Sequence, residues 1–333
     1  MKKKPVAGQL PERFLERLHE FFGFSIYSQI EKTFAERPTT FRMNVLKTKT
    51  AAGVKEILAT NGFKIKNISF LKEAMALQNK SKRELTDLPI YAQGKIYIQS
   101  LASMVPPLIL KPHAGEKVLD LTAAPGSKTS QMAAMMMGEN GQPEGELLAN
   151  EINKVRFFKL KHNMELLGVA DEHPNWKFTL RMEDGSRLCG DYQNYFDKIL
   201  VDAPCSAESR FVVGDISSFG YWSEKKIKEM ASKQRKLLFS AWYALKPGGT
   251  LVYSTCTLAP EENEMQISKL LERFEDEVEI KNISGDVAGL KTLPSVMEFK
   301  GKKFHPGVKN CLRIFPTSEI EGFFVAKVVK KIL

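Results

Sequence analysis

The chain of 333 residues has few cysteines, and its start carries no apolar stretch. Only four cysteines are present and none forms a Cys-x-x-Cys pair, so neither a disulfide scaffold nor a cysteine metal site is indicated. The basic run Lys2, Lys3 and Lys4 leads into Pro5 and Pro11 without the hydrophobic segment of a signal peptide or a membrane span. We therefore expect a cytoplasmic protein that binds no metal and no membrane.

Two glycine-rich nucleotide signatures are missing as well. The dinucleotide fingerprint Gly-x-Gly-x-x-Gly does not occur. A phosphate-binding loop would need glycines where Thr122 and Ser127 stand. These absences argue against a dinucleotide oxidoreductase and against a nucleoside triphosphatase.

Positive charge is concentrated at the two ends of the chain, which has a net charge of +10 at pH 7. Residues 1–100 hold 18 Lys and Arg against 9 Asp and Glu, and residues 300–333 hold 8 against 2. The middle of the chain is slightly acidic. This distribution is expected if the two ends of the chain bind a polyanion and the middle carries the catalytic residues. A basic surface that is merely solvated gives the same pattern.

The first part of the chain has the pattern of a small α+β unit. Residues 11–35 predict a helix, alternation over 40–46 predicts a strand, and a helix over 54–59 is expected to end at Asn61-Gly62. A Pro and a Gly mark a change of pattern near residue 92. We therefore expect a basic α+β domain over 1–92 and a second domain over 93–333.

The second part alternates short apolar strands with helices, which predicts a doubly wound α/β domain with a parallel sheet. Runs such as Ile199-Leu200-Val201 are apolar on both faces, as expected between two layers of helices. A last strand over 322–328 is expected to close the sheet at an edge. The other predicted strands cover 117–122, 146–151, 176–182, 196–202 and 249–255, and the predicted helices cover 101–110, 127–137, 154–167 and 224–245.

Small and acidic residues follow the first three of these strands, at the edge where doubly wound sheets bind ligands. The turn from Asp120 to Thr129 opens a helix whose free N–H groups suit an anionic group. Glu151 ends the second strand, where an acid accepts hydrogen bonds from ribose hydroxyls in such folds. Asp184 either takes an adenine amino group or is a plain turn carboxylate. Together they predict an adenosine-containing cofactor without a pyrophosphate.

Two cysteines follow the fourth and fifth strands. Cys205 lies in Asp-Ala-Pro-Cys-Ser, which begins at Asp202, and Cys256 lies in Ser-Thr-Cys-Thr just before a helix start at Pro-Glu-Glu. Since these strands end at one edge of the sheet, both thiols are expected to face one crevice. Cys189 and Cys311 lack such a context and are interpreted as buried small hydrophobic residues.

Three blocks of the chain are shared with a known family. They are residues 119–129, residues 202–206, and Tyr-Ser-Thr-Cys-Thr-Leu-Ala-Pro-Glu-Glu-Asn-Glu over 253–264. These blocks resemble the Sun (Fmu-like) family of RNA cytosine-5 methyltransferases, with a match from about Gln99 to the last strand. The resemblance implies a Rossmann-like methyltransferase domain that uses S-adenosylmethionine, and a small N-terminal RNA-recognition-like domain.

The resemblance also implies the roles of the site residues. Cys256 is the expected nucleophile, Cys205 assists product release, and Asp202 hydrogen-bonds the cytosine ring as charge builds there. Spacing alone leaves the order of the thiols open, because in DNA cytosine-5 methyltransferases the Pro-Cys after the fourth strand is the nucleophile. The implied cofactor site comprises Thr122, Ala123, Ala124, Pro125, Gly126, Ser127, Lys128, Glu151, Asp184 and Asp202.

Two positions depart from the family pattern, and both follow a strand. Ser127 replaces an expected glycine in the cofactor turn, which runs from Asp120 to Thr129. A residue as small as serine is compatible with the shape of this turn. Ala207 stands where a glycine is common, in the loop that faces the substrate. Arg210 and Lys128, near the same crevice, are candidates for phosphate contacts.

The resemblance implies RNA as the partner, with a cytosine unstacked into the pocket. We expect ribosomal RNA as the substrate of a monomeric enzyme, with transfer RNA as the alternative. A methyltransferase that acts on a protein or a small molecule would share the cofactor turn but would not need two strand-end cysteines. A non-catalytic RNA-binding protein on this fold would need neither the thiols nor the cofactor turn.

Overall fold

The computed structural model describes residues 8–48 and 50–333, so the basic run Lys2, Lys3 and Lys4 lies outside the described residues. The first helix is predicted as continuous, but Gly23 interrupts it with a φ of 71°. The next helix ends at Asn61-Gly62 as expected, because Gly62 takes a φ of 74°. The first elements are α1 (Glu12–Ile30), β1 (Thr40–Met43), α2 (Ala51–Thr60), β2 (Ile65–Asn67), β3 (Ala74–Leu77), α3 (Lys82–Thr86), α4 (Pro89–Ala92) and β4 (Ile96–Ile98).

The four strands of this unit form an antiparallel sheet in the order β2-β3-β1-β4. Phe41 and Met75 from the sheet are buried in one cluster with Val54 and Leu58 of α2. β4 lies after residue 92, where the sequence places the domain boundary, yet it pairs with β1. By its hydrogen bonds, this fourth strand belongs to the small sheet.

A nine-stranded mixed sheet forms the centre of the remaining chain. The strand predicted over 196–202 has those bounds in the structure. The other predicted parallel strands differ from the observed ones by a few residues at one or both ends. The elements are α5 (Leu101–Leu110), β5 (Lys117–Asp120), α6 (Ser127–Met135), β6 (Gly145–Asn150), α7 (Lys154–Leu166), β7 (Trp176–Arg181), α8 (Gly185–Leu188), β8 (Phe196–Asp202), α9 (Glu224–Ala244), β9 (Leu245–Thr255), α10 (Glu264–Phe274), β10 (Val278–Lys281), β11 (Thr292–Leu293), β12 (Glu298–Phe299), β13 (Lys302–Lys303), β14 (Leu312–Ile314) and β15 (Phe323–Lys330).

The order of the large sheet is β11-β14-β15-β9-β8-β5-β6-β7, with β10 also paired to β15. The five strands from β9 to β7 run parallel, as predicted for a doubly wound sheet. The expectation that the last strand lies at an edge is wrong, because β15 pairs with β9 on one side and with β14 and β10 on the other. A long apolar strand would be a liability at an edge, and these two short strands cover it.

Helices cover both faces of the parallel strands. Met104 of α5, Met132 of α6 and Leu160 of α7 are buried on one face. Trp242 of α9 and Leu270 of α10 are buried on the other. The carboxyl ends of the strands therefore remain as the open edge, where a ligand can bind.

Apolar and polar contacts both join the N-terminal unit to the large unit. The ring of Phe14 in α1 lies 4.9 Å from that of Phe211, in the loop after β8. Arg42 of β1 is buried and donates to Ser130 Oγ of α6 at 2.8 Å. Across residues 8–48 and 50–333, no helix is both long enough and apolar enough to span a membrane.

Candidate active site

A cleft of about 680 Å³ opens at the carboxyl ends of the parallel strands. Residues that follow each of the strands β5 to β9 contribute to its wall, so the convergence expected from the sequence is present in the structure. Of the predicted site residues, only Gly126 does not line it. The predicted residues in the wall are Thr122, Ala123, Ala124, Pro125, Ser127, Lys128, Glu151, Asp184, Asp202, Cys205 and Cys256.

Gly126 shapes the cofactor turn from behind. It precedes α6 with a φ of 102°, and a Cβ atom there would clash with the side chain of Met164 on α7. Without that Cβ the turn packs closely on α7 and directs the N-terminus of α6 towards the cleft. Thr122 closes the turn on its other side, because its Oγ1 donates to the carbonyl oxygen of Asp202 at 2.8 Å.

The acids after β6 and β7 both lie at the cleft. Glu151 is 4% exposed, and its carboxylate accepts from the Asn153 N–H at 2.8 Å and pairs with Arg156 at 3.1 Å. Asp184 Oδ1 accepts from the backbone N–H and the hydroxyl of Ser186, and the backbone bond is the main cause that lowers the pKa of Asp184. Asp184 is thus a turn carboxylate that also lines the cleft.

Asp120 is a further acid in the wall of the cleft, although it is not among the predicted site residues. Its burial raises the pKa to about 7, although Thr129 Oγ1 donates to Oδ2 at 2.6 Å. The other oxygen, Oδ1, is buried and has no hydrogen-bond partner within the described part of the chain. A buried acceptor of this kind can take a donor from a ligand.

Lys128 and Asp202 join the cofactor turn to the thiol side of the cleft. Lys128 Nζ lies 2.6 Å from Asp202 Oδ2 and donates to Ser103 Oγ at 2.7 Å. The second oxygen of Asp202 accepts from Ser254 Oγ at 2.9 Å. Lys128 and Ser254 thus hold the Asp202 carboxylate in one orientation at the end of β8.

The two thiols meet at the ends of β8 and β9. Cys205 Sγ lies 3.3 Å from Cys256 Sγ. The hydrogen bond from Cys205 lowers the pKa of Cys256 to about 7, and the positive charge of Arg210 acts in the same direction while burial opposes both. The pKa of Cys205 is raised, because it is the donor in that bond and because it is buried. Both directions favour a thiolate at Cys256.

The chain carries two further cysteines, and both are buried. Cys189 and Cys311 belong to the apolar cluster between the sheet and α9–α10, as expected from the sequence. Burial raises the pKa of each thiol. Among residues 8–48 and 50–333, no group of three or more His, Cys, Asp or Glu side chains is arranged to hold a metal ion.

Residues 107–329 match a family model described as 16S rRNA methyltransferase RsmB/F. The chain belongs to this family. It is 34% identical to a tRNA (cytosine(49)-C(5))-methyltransferase of Pyrococcus abyssi, over 98% of this chain and 97% of that protein. It is 32% identical to the ribosomal RNA small subunit methyltransferase F of Pectobacterium atrosepticum, over 98% of this chain and 64% of that protein. The family predicted from the three blocks is confirmed.

A solved structure shares the whole fold. The crystal structure of a methyltransferase homologue from Pyrococcus horikoshii superposes with a TM-score of 0.78 at 31% identity, over 97% of this chain and 96% of that one. The predicted Rossmann-like α/β class is therefore confirmed. The chain spans slightly less than two thirds of the length of the F-type relatives, and nearly the full length of the archaeal one.

Several residues of this family member line the cleft without having been predicted. Some lie within a few positions of predicted ones, and a search for polar residues next to each strand end would have found them. Those on α9 have no local signal, because only the packing of that helix brings them to the cleft. The missed residues include Ser103, Asp120, Asn150, Ile152, Asn153, Arg156, Met230, Lys233 and Lys236.

Proposed function

We propose that the chain transfers a methyl group from S-adenosylmethionine to carbon 5 of a cytosine in RNA. The observation that carries this proposal is the pair of thiols, 3.3 Å apart beside Asp202, in the cleft that also holds the cofactor turn. Membership of a methyltransferase family supports methyl transfer. The thiols support cytosine as the target, because its carbon 5 is a poor nucleophile until a thiolate adds at carbon 6.

The cleft has groups that suit S-adenosylmethionine, which supplies an electrophilic methyl group when bound. Glu151 is placed to accept hydrogen bonds from the ribose hydroxyls, and Asp184 to accept one from the adenine amino group. The N-terminus of α6 suits the carboxylate of the methionine part. Asp120 Oδ1, buried without a partner in the described residues, suits its ammonium group.

In the proposed reaction, the Cys256 thiolate adds to carbon 6 and the electron pair of the double bond moves towards carbon 5. Carbon 5 then takes the methyl group, and the electron pair of the broken S–CH3 bond stays on the sulfur of the leaving thioether. A base removes the proton from carbon 5, the double bond forms again, and Cys256 leaves as a thiolate. Ring nitrogen 3 takes up a proton as negative charge builds there and donates it in a hydrogen bond to the Asp202 carboxylate; this proton is released when Cys256 leaves, a step that Cys205 assists.

Single Cys→Ser variants test the roles of the two thiols. Cys256→Ser is expected to abolish both methyl transfer and the covalent RNA adduct, because a serine hydroxyl is not ionised near neutral pH. Cys205→Ser is expected to form the adduct and to release it slowly. The measurement is an adduct band on a denaturing gel after incubation with RNA and cofactor. An adduct that survives in Cys256→Ser and is lost in Cys205→Ser would reverse the assignment.

Ribosomal RNA is the first candidate substrate, because the matching family model carries that description. Transfer RNA is the second, because the relative aligned over 97% of its own length is named a tRNA methyltransferase. Bisulfite sequencing of total RNA from cells with and without the gene locates the modified cytosine. Tight cofactor binding without transfer to either RNA would favour a protein or a small molecule instead.

The N-terminal unit, over residues 1–92 and the strand β4, is proposed to bind the RNA next to the target. It is basic, and its sheet is fixed to the large unit by the buried Arg42 contact. RNA affinity that falls steeply between low and moderate salt is the signature of such phosphate contacts. An affinity that does not change with salt would contradict this part of the proposal.

A further inference from the structure

Two buried glutamates link the turns that carry the two thiols. Glu208 belongs to the turn after Cys205, and its carboxyl group contacts the turn after Cys256. Glu262 belongs to the turn after Cys256, and its carboxyl group contacts Ser206. The sequence suggests that Glu262 lies in the first turn of a helix, but α10 begins only at Glu264. Both carboxyl groups are almost completely buried.

The contacts of Glu208 are those of an ionised carboxylate. Oε1 accepts from Trp222 Nε1 at 2.8 Å. Oε2 accepts from Thr257 Oγ1 at 3.0 Å and from the Leu258 N–H at 3.2 Å. Each oxygen therefore faces an N–H group, which can only donate.

The contacts of Glu262 are unequal. Oε2 accepts from the Ser206 N–H at 3.0 Å and from Gln234 Nε2 at 2.7 Å. Among the described residues, Oε1 has a single partner, the hydroxyl of Ser206. That hydroxyl in turn lies 2.7 Å from Thr257 Oγ1. The four side chains thus form an unbroken row from Glu262 through Ser206 and Thr257 to Glu208.

This row needs more protons than its hydroxyl groups contain. Its three contacts each require one hydrogen between two oxygens, and the hydroxyls of Ser206 and Thr257 supply one each. The third must come from a carboxyl group. Glu208 accepts from N–H donors on both oxygens, whereas Oε1 of Glu262 has no other partner among the described residues.

We propose that Glu262 is a neutral carboxylic acid whose Oε1 donates to Ser206, and that the resulting chain of hydrogen bonds ends on an ionised Glu208. The chain joins the residue after Cys205 to the residue after Cys256. It therefore fixes the distance between the two thiols, and Glu208 and Glu262 are positioning residues. This role in catalysis rests on the proposed methyl transfer to RNA, whereas the protonation of Glu262 does not.

The charges around the row agree with this assignment. Burial is the largest cause that raises the pKa of Glu262 to about 8, and the nearby Glu208 acts in the same direction. Cys205 and Tyr253 lie close enough to interact electrostatically with this carboxyl group, and the Tyr253 hydroxyl donates to the Glu262 backbone carbonyl at 2.6 Å. Burial raises the pKa of Glu208 too, but the hydrogen bond from Trp222 and the charge of Arg17 lower it.

Amide substitutions separate a neutral from an ionised carboxyl group. In Glu262→Gln the amide nitrogen can donate to Ser206 Oγ and the amide oxygen can accept from the two N–H groups, so every bond is kept. Each oxygen of Glu208 faces an N–H donor, so in Glu208→Gln the amide nitrogen must also face a donor. One buried hydrogen bond is then lost. We expect methyl transfer within about twofold of wild type for Glu262→Gln, and a loss of at least about tenfold for Glu208→Gln.

The melting temperature measured against pH gives a readout that does not depend on catalysis. A carboxyl group whose pKa is raised on folding stabilises the fold fully below its ordinary pKa, and this stabilisation is lost as the pH rises towards 8. The melting temperature of Glu262→Gln minus that of wild type is therefore expected to increase as the pH rises from about 5 to about 9. Glu264→Gln is the matched control. Buried Glu264 pairs with Arg313 through both oxygens, so this variant is expected to melt below wild type across the whole pH range.

Three outcomes would overturn the inference. A Glu262→Gln protein that melts below wild type across this pH range would show that Glu262 is ionised. A Glu262→Ala protein with unchanged kcat would remove the positioning role. Glu208→Gln with full activity would do the same. Wild-type protein that binds cofactor but methylates no RNA would refute the proposed function alone, because the melting comparison would still test the proton.

Discussion

The two halves of the cleft are built in different ways. The cofactor half, which follows β5, β6 and β7, contains Asp120, whose buried Oδ1 has no hydrogen-bond partner among the described residues. The thiol half consists of the turns at residues 203–211 and 256–264. Its buried carboxyl groups, on Glu208, Glu262 and Glu264, already have partners within the protein.

This difference separates binding from positioning. The unpaired oxygen of Asp120 leaves a hydrogen bond for a ligand to make, so substitutions in the cofactor half should act on affinity. The paired carboxyl groups of the thiol half hold the turns that carry the reacting sulfurs, so substitutions there should act on stability and on the rate of the chemical step. Lys128, which reaches from α6 to Asp202, is the direct link between the halves.

The largest expected effect concerns Arg313, which ties the thiol half to β14. Its guanidinium group pairs with Glu264 and donates to the Leu258 carbonyl, and both charged side chains are buried. Arg313→Met leaves the Glu264 charge buried without a counter-charge, which should lower the free energy of unfolding by about 3–5 kcal/mol. Denaturant unfolding measures this loss.

The matched control is an ion pair at the surface. Lys66 and Glu319 lie 2.6 Å apart with both side chains more than two fifths exposed. Lys66→Met should change the free energy of unfolding by less than about 1 kcal/mol, because water already solvates both charges. Equal losses in the two variants would contradict the description of the thiol half as a buried, internally paired structure.

A smaller effect, on affinity, is expected in the cofactor half. Glu151→Gln removes a charged acceptor from the wall of the cleft and should weaken cofactor binding by about 1.5–3 kcal/mol. Isothermal titration calorimetry with S-adenosylmethionine measures the change. Glu183→Gln is the control, since Glu183 lies in the next turn, is exposed and pairs with Arg181. A loss of affinity common to both variants would speak against a specific contact by Glu151.

The parts that could be predicted from the sequence are those where local pattern and tertiary position coincide. The buried parallel strands are apolar on both faces, so their positions follow from the chain itself to within a few residues, and the ligand edge follows from their direction. The cofactor turn and both thiols were found because they directly follow those strands.

Other features depend on contacts between distant segments, which no local pattern contains. The sequence predicts β15 as an edge strand, but β10 and β14 pair with it. These two strands have only four and three residues, too few for a clear pattern in the sequence. Glu262 follows a proline and resembles a residue of a first helical turn, yet its partner is Ser206. Buried Arg17 likewise pairs with Glu261, which is remote in the chain. Such pairs appear only once the packing is known.

The smallest expected effect lies where the two halves open to solvent, at Arg210. Its positive charge is one cause of the lowered pKa of Cys256, which is about 7. Arg210→Met should therefore raise that pKa. The measurement is the rate of Cys256 alkylation by iodoacetamide against pH, which should reach half its maximum at a higher pH than in wild type. The shift should be less than about one pH unit, because Arg210 is exposed and water screens its charge.

The control for this variant removes a charge from the opposite edge of the sheet. Lys177 lies near the start of β7 and pairs with Glu146 near the start of β6, away from the thiols at the strand ends. Lys177→Met should leave the alkylation profile in place. If Arg210→Met does so too, the hydrogen bond from Cys205 alone sets the ionisation of Cys256, and the thiol half is as self-contained in its charges as in its hydrogen bonds.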